Sequence, residues 1–180
     1  MGVRNYLIEG VSGAGKTTVA EELERRGYQA VHGDRVLARP GDPETGEVLD
    51  HPDAGWSLEQ RHRHHIWDVD QVQAIVEDNS RPMTFFCGGS RNWGMFLDLF
   101  DGVFILEVDT DTLNRRLDDR PFDEFGRVPE ERALVIRVHR TREDLPTGGV
   151  SIDATRPITD IVDEILRRID GMPDITERPD

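Results

Sequence analysis

The residues best equipped for chemistry lie near the start of the chain. Gly10-Val11-Ser12-Gly13-Ala14-Gly15-Lys16-Thr17-Thr18 fits the spacing G-x-x-x-x-G-K-[ST] at Gly10, Gly15, Lys16 and Thr17. Glycine at 10, 13 and 15 lets successive backbone N–H groups, with those of Ser12 and Ala14, turn toward one point, which is what a phosphate group requires. Lys16 supplies a mobile positive charge for the β- and γ-phosphates, Thr17 a hydroxyl for Mg²⁺, and Thr18 continues the helix whose dipole faces the anion. ATP with Mg²⁺ is the ligand this pattern implies. The nearest candidate partner is Asp34 in His32-Gly33-Asp34-Arg35, either a general base for an acceptor hydroxyl or a carboxylate holding Mg²⁺ through water. No acidic residue closes the run Phe86-Cys87-Gly88-Gly89, where a motor ATPase carries one. Arg35, Arg39 and Arg91 are three guanidinium groups in an acidic chain, a combination that suits an anionic acceptor.

These side chains need a scaffold that brings distant segments together. Short apolar runs at 6–8, 28–31, 83–87, 103–106 and 150–152 predict five strands, and those at 83 and 103 lack alternation, as strands covered on both faces do. Helical patterns follow them. Val19, Ala20 and Leu23 form the apolar side of the first, with Gly27 as its stop. Ile158, Ile161, Val162, Ile165, Leu166 and Ile169 stripe the last, with Thr155 the expected cap and Pro157 in its first turn. The expectation is an α/β fold of three layers, α/β/α, around a five-stranded parallel sheet. Residues 35–80 form an insert, read as a loop through Arg39–Gly46 and then one helix from Leu58 to Asn79. Two arginine-rich helical patterns, 110–119 and 129–144, are joined by a short connection over 121–126, and 115–140 is the expected lid region. His62 and His65 share a helical face within Arg61-His62-Arg63-His64-His65. With no third ligand at usable spacing, that run reads as a basic cluster or an exposed face rather than a metal site.

Several of these segments resemble the nucleoside monophosphate kinase superfamily, including small-metabolite kinases similar to shikimate and gluconate kinases. Arg116-Leu117-Asp118-Asp119-Arg120 is similar to the R-L-x-x-R segment leading into an adenylate kinase lid, which implies Arg116 near the adenine and Arg120 on phosphates. Arg137 resembles the arginine on the helix returning from that lid. Arg156 and Pro157, in Ile152-Asp153-Ala154-Thr155-Arg156-Pro157, resemble the loop beside the adenine ring. Gly88-Gly89-Ser90-Arg91 matches in position the turn that holds the acceptor. The resemblance implies an ATP-dependent kinase with Lys16, Asp34, Arg116, Arg120 and Arg137 around the transferred group. Its acceptor would be a nucleoside or nucleoside monophosphate, or alternatively a hydroxylated metabolite. A module that holds a nucleotide without transferring phosphate is the competing reading.

Composition sets outer limits. The 180 residues suit one domain over 1–170 with a polar tail over 171–180, and a single cysteine, Cys87, excludes an internal disulfide. Thirty-six acidic against 22 basic side chains leave a formal charge of −14, which repels nucleic acid and anionic membranes alike. The expected partner is a small molecule, the expected location the cytoplasm, and the expected state a monomer or homodimer.

Overall fold

A computed structural model describes residues 3–49 and 55–172. Residues 173–180 of the expected tail and 50–54 of the insert lie outside them. All five expected strands form: β1 (Arg4–Glu9), β2 (Gln29–His32), β5 (Met83–Cys87), β6 (Gly102–Glu107) and β7 (Val150–Asp153). They build one parallel sheet in the order β2-β5-β1-β6-β7. Successive side chains of β1 serve different layers. Tyr6 and Ile8 join a core with Val19, Ala20 and Leu23 of α1 (Lys16–Arg25) and Ile161, Val162 and Ile165 of α7 (Ile158–Asp170). Leu7 joins a second core with Trp67, Val72, Phe86, Phe96 and Phe100. Both faces of the sheet are therefore dry, which is why its strands read as apolar runs. Among the described residues no helix is long and apolar enough to cross a membrane.

The register decides where function gathers. Ile8 and His32 both lie opposite Cys87, so the chain leaves β1, β2 and β5 at one level of the sheet. The loops that follow, carrying Gly10, Asp34 and Gly88–Arg91, meet at the carboxyl edge, the usual binding side of such a sheet.

Two expectations need correction. The single helix over Leu58–Asn79 is instead α3 (Leu58–Arg63), β4 (His65–Trp67) and α4 (Val69–Val76). Ser57 starts α3 with a capping box to Gln60, and the Asp68 side chain accepts from Gln71 N to start α4. Between them Ile66 and Trp67 are fully buried, and β4 pairs antiparallel with β3 (Ala38–Pro40), whose last two residues fall in the segment read as loop. Burying those two large side chains outweighs the helical pattern around them. At α7, Pro157 rather than Thr155 occupies the cap position. Thr155 instead donates from N and Oγ1 to Asp153 Oδ1 at 3.0 and 2.6 Å.

α2 (Gly33–Val36) is a single turn that sets the position of Asp34. The Trp67 ring, stacked on Phe96 at 5.6 Å, lies against Gly33 so closely that a Cβ there would fall within the ring's envelope. Gly33→Ala is expected to cost about 1–3 kcal/mol by overpacking. Urea unfolding measures this, and a stability equal to wild type would show that Trp67 has room to yield.

Candidate active site

The loop between β1 and α1 has the geometry its glycines predict. Gly13 and Gly15 adopt φ of 92° and 108°, in the left-handed region where a side chain is strained, and Gly15 caps α1. A Cβ on Gly13 would stand 2.8 Å from Leu113 Cδ1 of α5 (Thr110–Asp118), so the loop is seated on that helix. Lys16 Nζ reaches back across the loop and donates to Gly10 O at 2.5 Å and Val11 O at 3.2 Å. Arg116, near the end of α5, donates to Ala14 O at 2.8 Å and Ala154 O at 2.6 Å, joining the loop to the segment after β7. Arg120 donates to Ser12 Oγ at 3.1 Å and to Phe125 O in the lid.

A cavity of about 440 Å³ opens beside this loop. Its floor holds Glu9, Lys16, Asp34, Gly89 and Arg91; α3 lends Arg61 and His62, β4 lends His65, and α6 (Pro129–Thr141) closes the far wall. Glu9 is the last residue of β1 and 2% exposed. Its carboxylate accepts from Gly10 N at 2.8 Å and Ser90 N at 3.3 Å, and so stands between the phosphate loop and the turn after β5. Burial raises the Glu9 carboxyl to about 7 despite the nearby charges of Lys16 and Arg91. Asp34 behaves oppositely. Its place on the cavity wall, partly shielded from water, would raise it, but His65, the Lys16 ammonium and the Gly89 N–H, which donates to it at 2.9 Å, hold it at about 2. Arg91 is paired with Asp144, whose carboxylate also meets His62 Nε2 at 2.6 Å. Burial pushes Asp144 upward, yet contact with His62 and the charge of Arg91 keep it ionised, below the usual carboxylate range.

A family model described as an AAA domain matches residues 7–133, the phosphate loop, the insert and both lid helices' start included. The chain belongs to the AAA_18 family. None of the curated proteins compared matches it at a significant level. Three solved structures similar to this AAA_18 chain carry the same fold. A shikimate kinase from Acinetobacter baumannii in complex with shikimate is 16% identical, with TM-score 0.62 over 94% of each chain. A gluconokinase from Sinorhizobium meliloti 1021 is 19% identical, with TM-score 0.56 over 93% of this chain and 92% of the other. A deoxyadenosine kinase from M. mycoides with bound dATP is 16% identical, with TM-score 0.54 over 92% of this chain and 99% of the other.

The AAA_18 chain does not bring all the expected residues together. Lys16, Asp34, Gly89 and Arg91 line the cavity, with Gly10 and Ser12 at its edge. Thr17 and Thr18 lie exposed on the first turn of α1. Gly88 lies one residue deeper, where a Cβ would press on Trp67 and on Asp34 Oδ1, at 2.6 and 2.9 Å. Arg35 is exposed outside the cavity, and Arg39 turns to Val36 O, Ala38 O and Gln71. Arg137 points away as well: it grips Glu59 of α3 through two bonds of 2.6 and 2.8 Å and also meets Glu143. Arg156 pairs loosely with Asp160 at 3.5 Å, and its neighbour Pro157 caps α7. The histidines diverge, His64 toward Gly41 O and His65 toward Asp34, and no three His, Cys, Asp or Glu among the described residues form a metal-holding group. Sequence reasoning misses Glu9 and Asp144, and it sets His65 on one helical face with His62 rather than beside Asp34. Only Glu9 had left a signal, a carboxylate ending the apolar run Tyr6-Leu7-Ile8.

Glu9 gives a measurable pH dependence. Between its unfolded value of 4.5 and about 7, the folded protein keeps a proton that the unfolded chain has released, so stability falls as pH rises through that window. The expected loss is on the order of 3 kcal/mol. Glu9→Gln should abolish it, so urea unfolding at pH 5 and pH 8 would bring the variant's two curves together while the wild type's stay apart. A wild type equally stable at both pH values would show that Glu9 is ionised at little cost.

Proposed function

We propose that the protein transfers the γ-phosphoryl group of ATP to a hydroxyl of a small molecule bound in the cavity. One observation carries this reading: the phosphate-loop lysine and two carboxylates of opposite behaviour, Lys16, Glu9 and Asp34, face a single chamber that the nucleotide loop alone does not need. A module that only held a nucleotide would have no use for the second compartment. The similar solved structures are kinases by name, which agrees with it.

The loop amides and Lys16 would hold the triphosphate, with Arg120 on Ser12 bringing a second positive charge. Arg116 and the segment of Arg156 and Pro157 would flank the adenine side, since Arg116 already joins that segment to the loop. Mg²⁺ suits the donors present, all hard oxygens: the exposed Thr17 hydroxyl and Asp34, which stays ionised. When bound, it would neutralise charge on the phosphates. Alignment and charge neutralisation supply most of the rate in this chemistry, and closure of the lid keeps water from the phosphoryl group.

Two carboxylates driven apart by their surroundings divide acid–base work. Asp34, fixed by Gly89 N, orients; Glu9, poised near neutrality, accepts the proton of the attacking hydroxyl. A phosphate acceptor would bring its own charged oxygen and need no base. The pair therefore favours a nucleoside or a hydroxylated metabolite over a nucleoside monophosphate. ADP release measured against nucleosides, nucleoside monophosphates and hydroxylated ring compounds tests this. An acceptor of the first or third type should raise turnover at least about a hundredfold over ATP hydrolysis. Tight ATP binding with no stimulation by any of them would favour the nucleotide-holding module.

A further inference from the structure

The acceptor chamber has two surfaces of unlike chemistry. One is aliphatic: Leu134, Val135 and Val138 of α6, with Leu145 after it and Leu58 of α3 opposite. These side chains offer nothing to a charge or a hydrogen bond, and they match an apolar ring face.

The other surface is polar, and its cations are already committed. Lys16 belongs to the phosphate loop. Arg91, the one arginine on the acceptor turn, is bound by Asp144, and the two side chains are 14% and 16% exposed. Asp144 thereby neutralises the Arg91 charge, and the Arg91 Nε is buried without a partner among the described residues, which leaves this side chain a weak receptor for a doubly charged phosphate. Arg61 stands exposed on α3 at the rim, where water and salt screen it. Against these, Glu9, Asp34 and Glu131 present carboxyl groups to the same space. An anionic acceptor would set its charge beside carboxylates with only the water-screened Arg61 at the rim unpaired among the described residues, a repulsive element of the kind that creates specificity.

The structure assigns the acceptor a chemical class: an uncharged, hydroxyl-bearing molecule whose apolar face lies along α6. It assigns Asp144 a role in specificity as well, because by occupying Arg91 it excludes phosphorylated or carboxylated counterparts. This rests on the kinase reading above. Asp144 acts through Arg91 and need not touch the acceptor.

The test uses matched pairs differing by one charged group: nucleosides against their 5′-monophosphates, and cyclic polyols against the corresponding hydroxy acids. Binding is measured by calorimetry with Mg²⁺ and a non-hydrolysable ATP analogue, and turnover by ADP release. In each accepted pair the uncharged member should bind at least about tenfold more tightly, and Asp144→Asn should narrow that ratio about tenfold by releasing Arg91. Equal or tighter binding of the charged members by wild type overturns the inference, as does failure of every uncharged member to bind. A folded Asp144→Asn that leaves the ratio within about twofold removes the role given to Asp144. Should that variant not fold, the wild-type ratio decides alone. Loss of ATP binding itself strikes the kinase reading. Normal ATP binding with preference for anions strikes only this inference.

Discussion

Lys16→Ala is expected to lower turnover by about 10²–10³-fold while leaving the melting temperature almost unchanged. The asymmetry follows from the partners of Lys16. Among the described residues its ammonium donates to Gly10 O and Val11 O of its own loop, carbonyls at the edge of an open cavity that water can serve as well. Losing those bonds costs the fold little. In the proposed reaction the same group moves onto the phosphates, where charge builds as the phosphoryl group leaves, and among the described residues the other cations lining the cavity, Arg61 and Arg91, come from α3 and the turn after β5 rather than from the loop. Arg116 and Arg120 are held by backbone carbonyls and Ser12 and cannot replace it without releasing the loop. Single-turnover ADP formation alongside thermal unfolding separates the two effects. Turnover within tenfold of wild type would mean that the loop's N–H groups carry the charge by themselves.

Asp34→Asn should reduce turnover by about 10²–10⁴-fold with ATP affinity nearly intact. Asparagine keeps an oxygen for Gly89 N, so the turn after β5 stays in place, but the charge facing His65 and Lys16 is gone. That charge is the part assigned to orienting metal and acceptor. The pH profile then separates Asp34 from Glu9. Wild-type kcat/KM should climb through about 7, the value to which burial raises Glu9, and level off above it. Asp34, at about 2, is ionised across that range and contributes no limb. Glu9→Gln should flatten the profile as well as lower it. A limb that survives in Glu9→Gln would place the proton acceptor elsewhere.

Much of the scaffold was legible because it is written locally. The glycine spacing of 10–15 demands its turn, the apolar runs of 83–87 and 103–106 demand cover on both faces, and the stripe from Ile158 to Ile169 demands a helix. The break at His64–Asp68 was hidden because it depends on a partner: β4 exists only because β3 lies beside it and Trp67 has Gly33 to pack against. The site was half legible for the same reason. Lys16 and Asp34 follow directly from strands. Arg91 and Asp144 meet across 53 positions, and Arg137 and Glu59 across 78, so no spacing rule announces either pair. Arg35 and Arg39 show the converse: nearness in sequence to Asp34 did not turn them inward, because β3 and α2 direct them outward.

Asp144 has a mechanical consequence. It sits past the end of α6, clasps the turn after β5 and the helix of the insert at once, and is reinforced by Arg137 gripping Glu59 from that same α6. The two covers of the chamber are thus tied to each other and to the sheet edge by ion pairs, of which added electrolyte weakens the exposed Arg137–Glu59 pair and spares the part-buried contacts of Asp144.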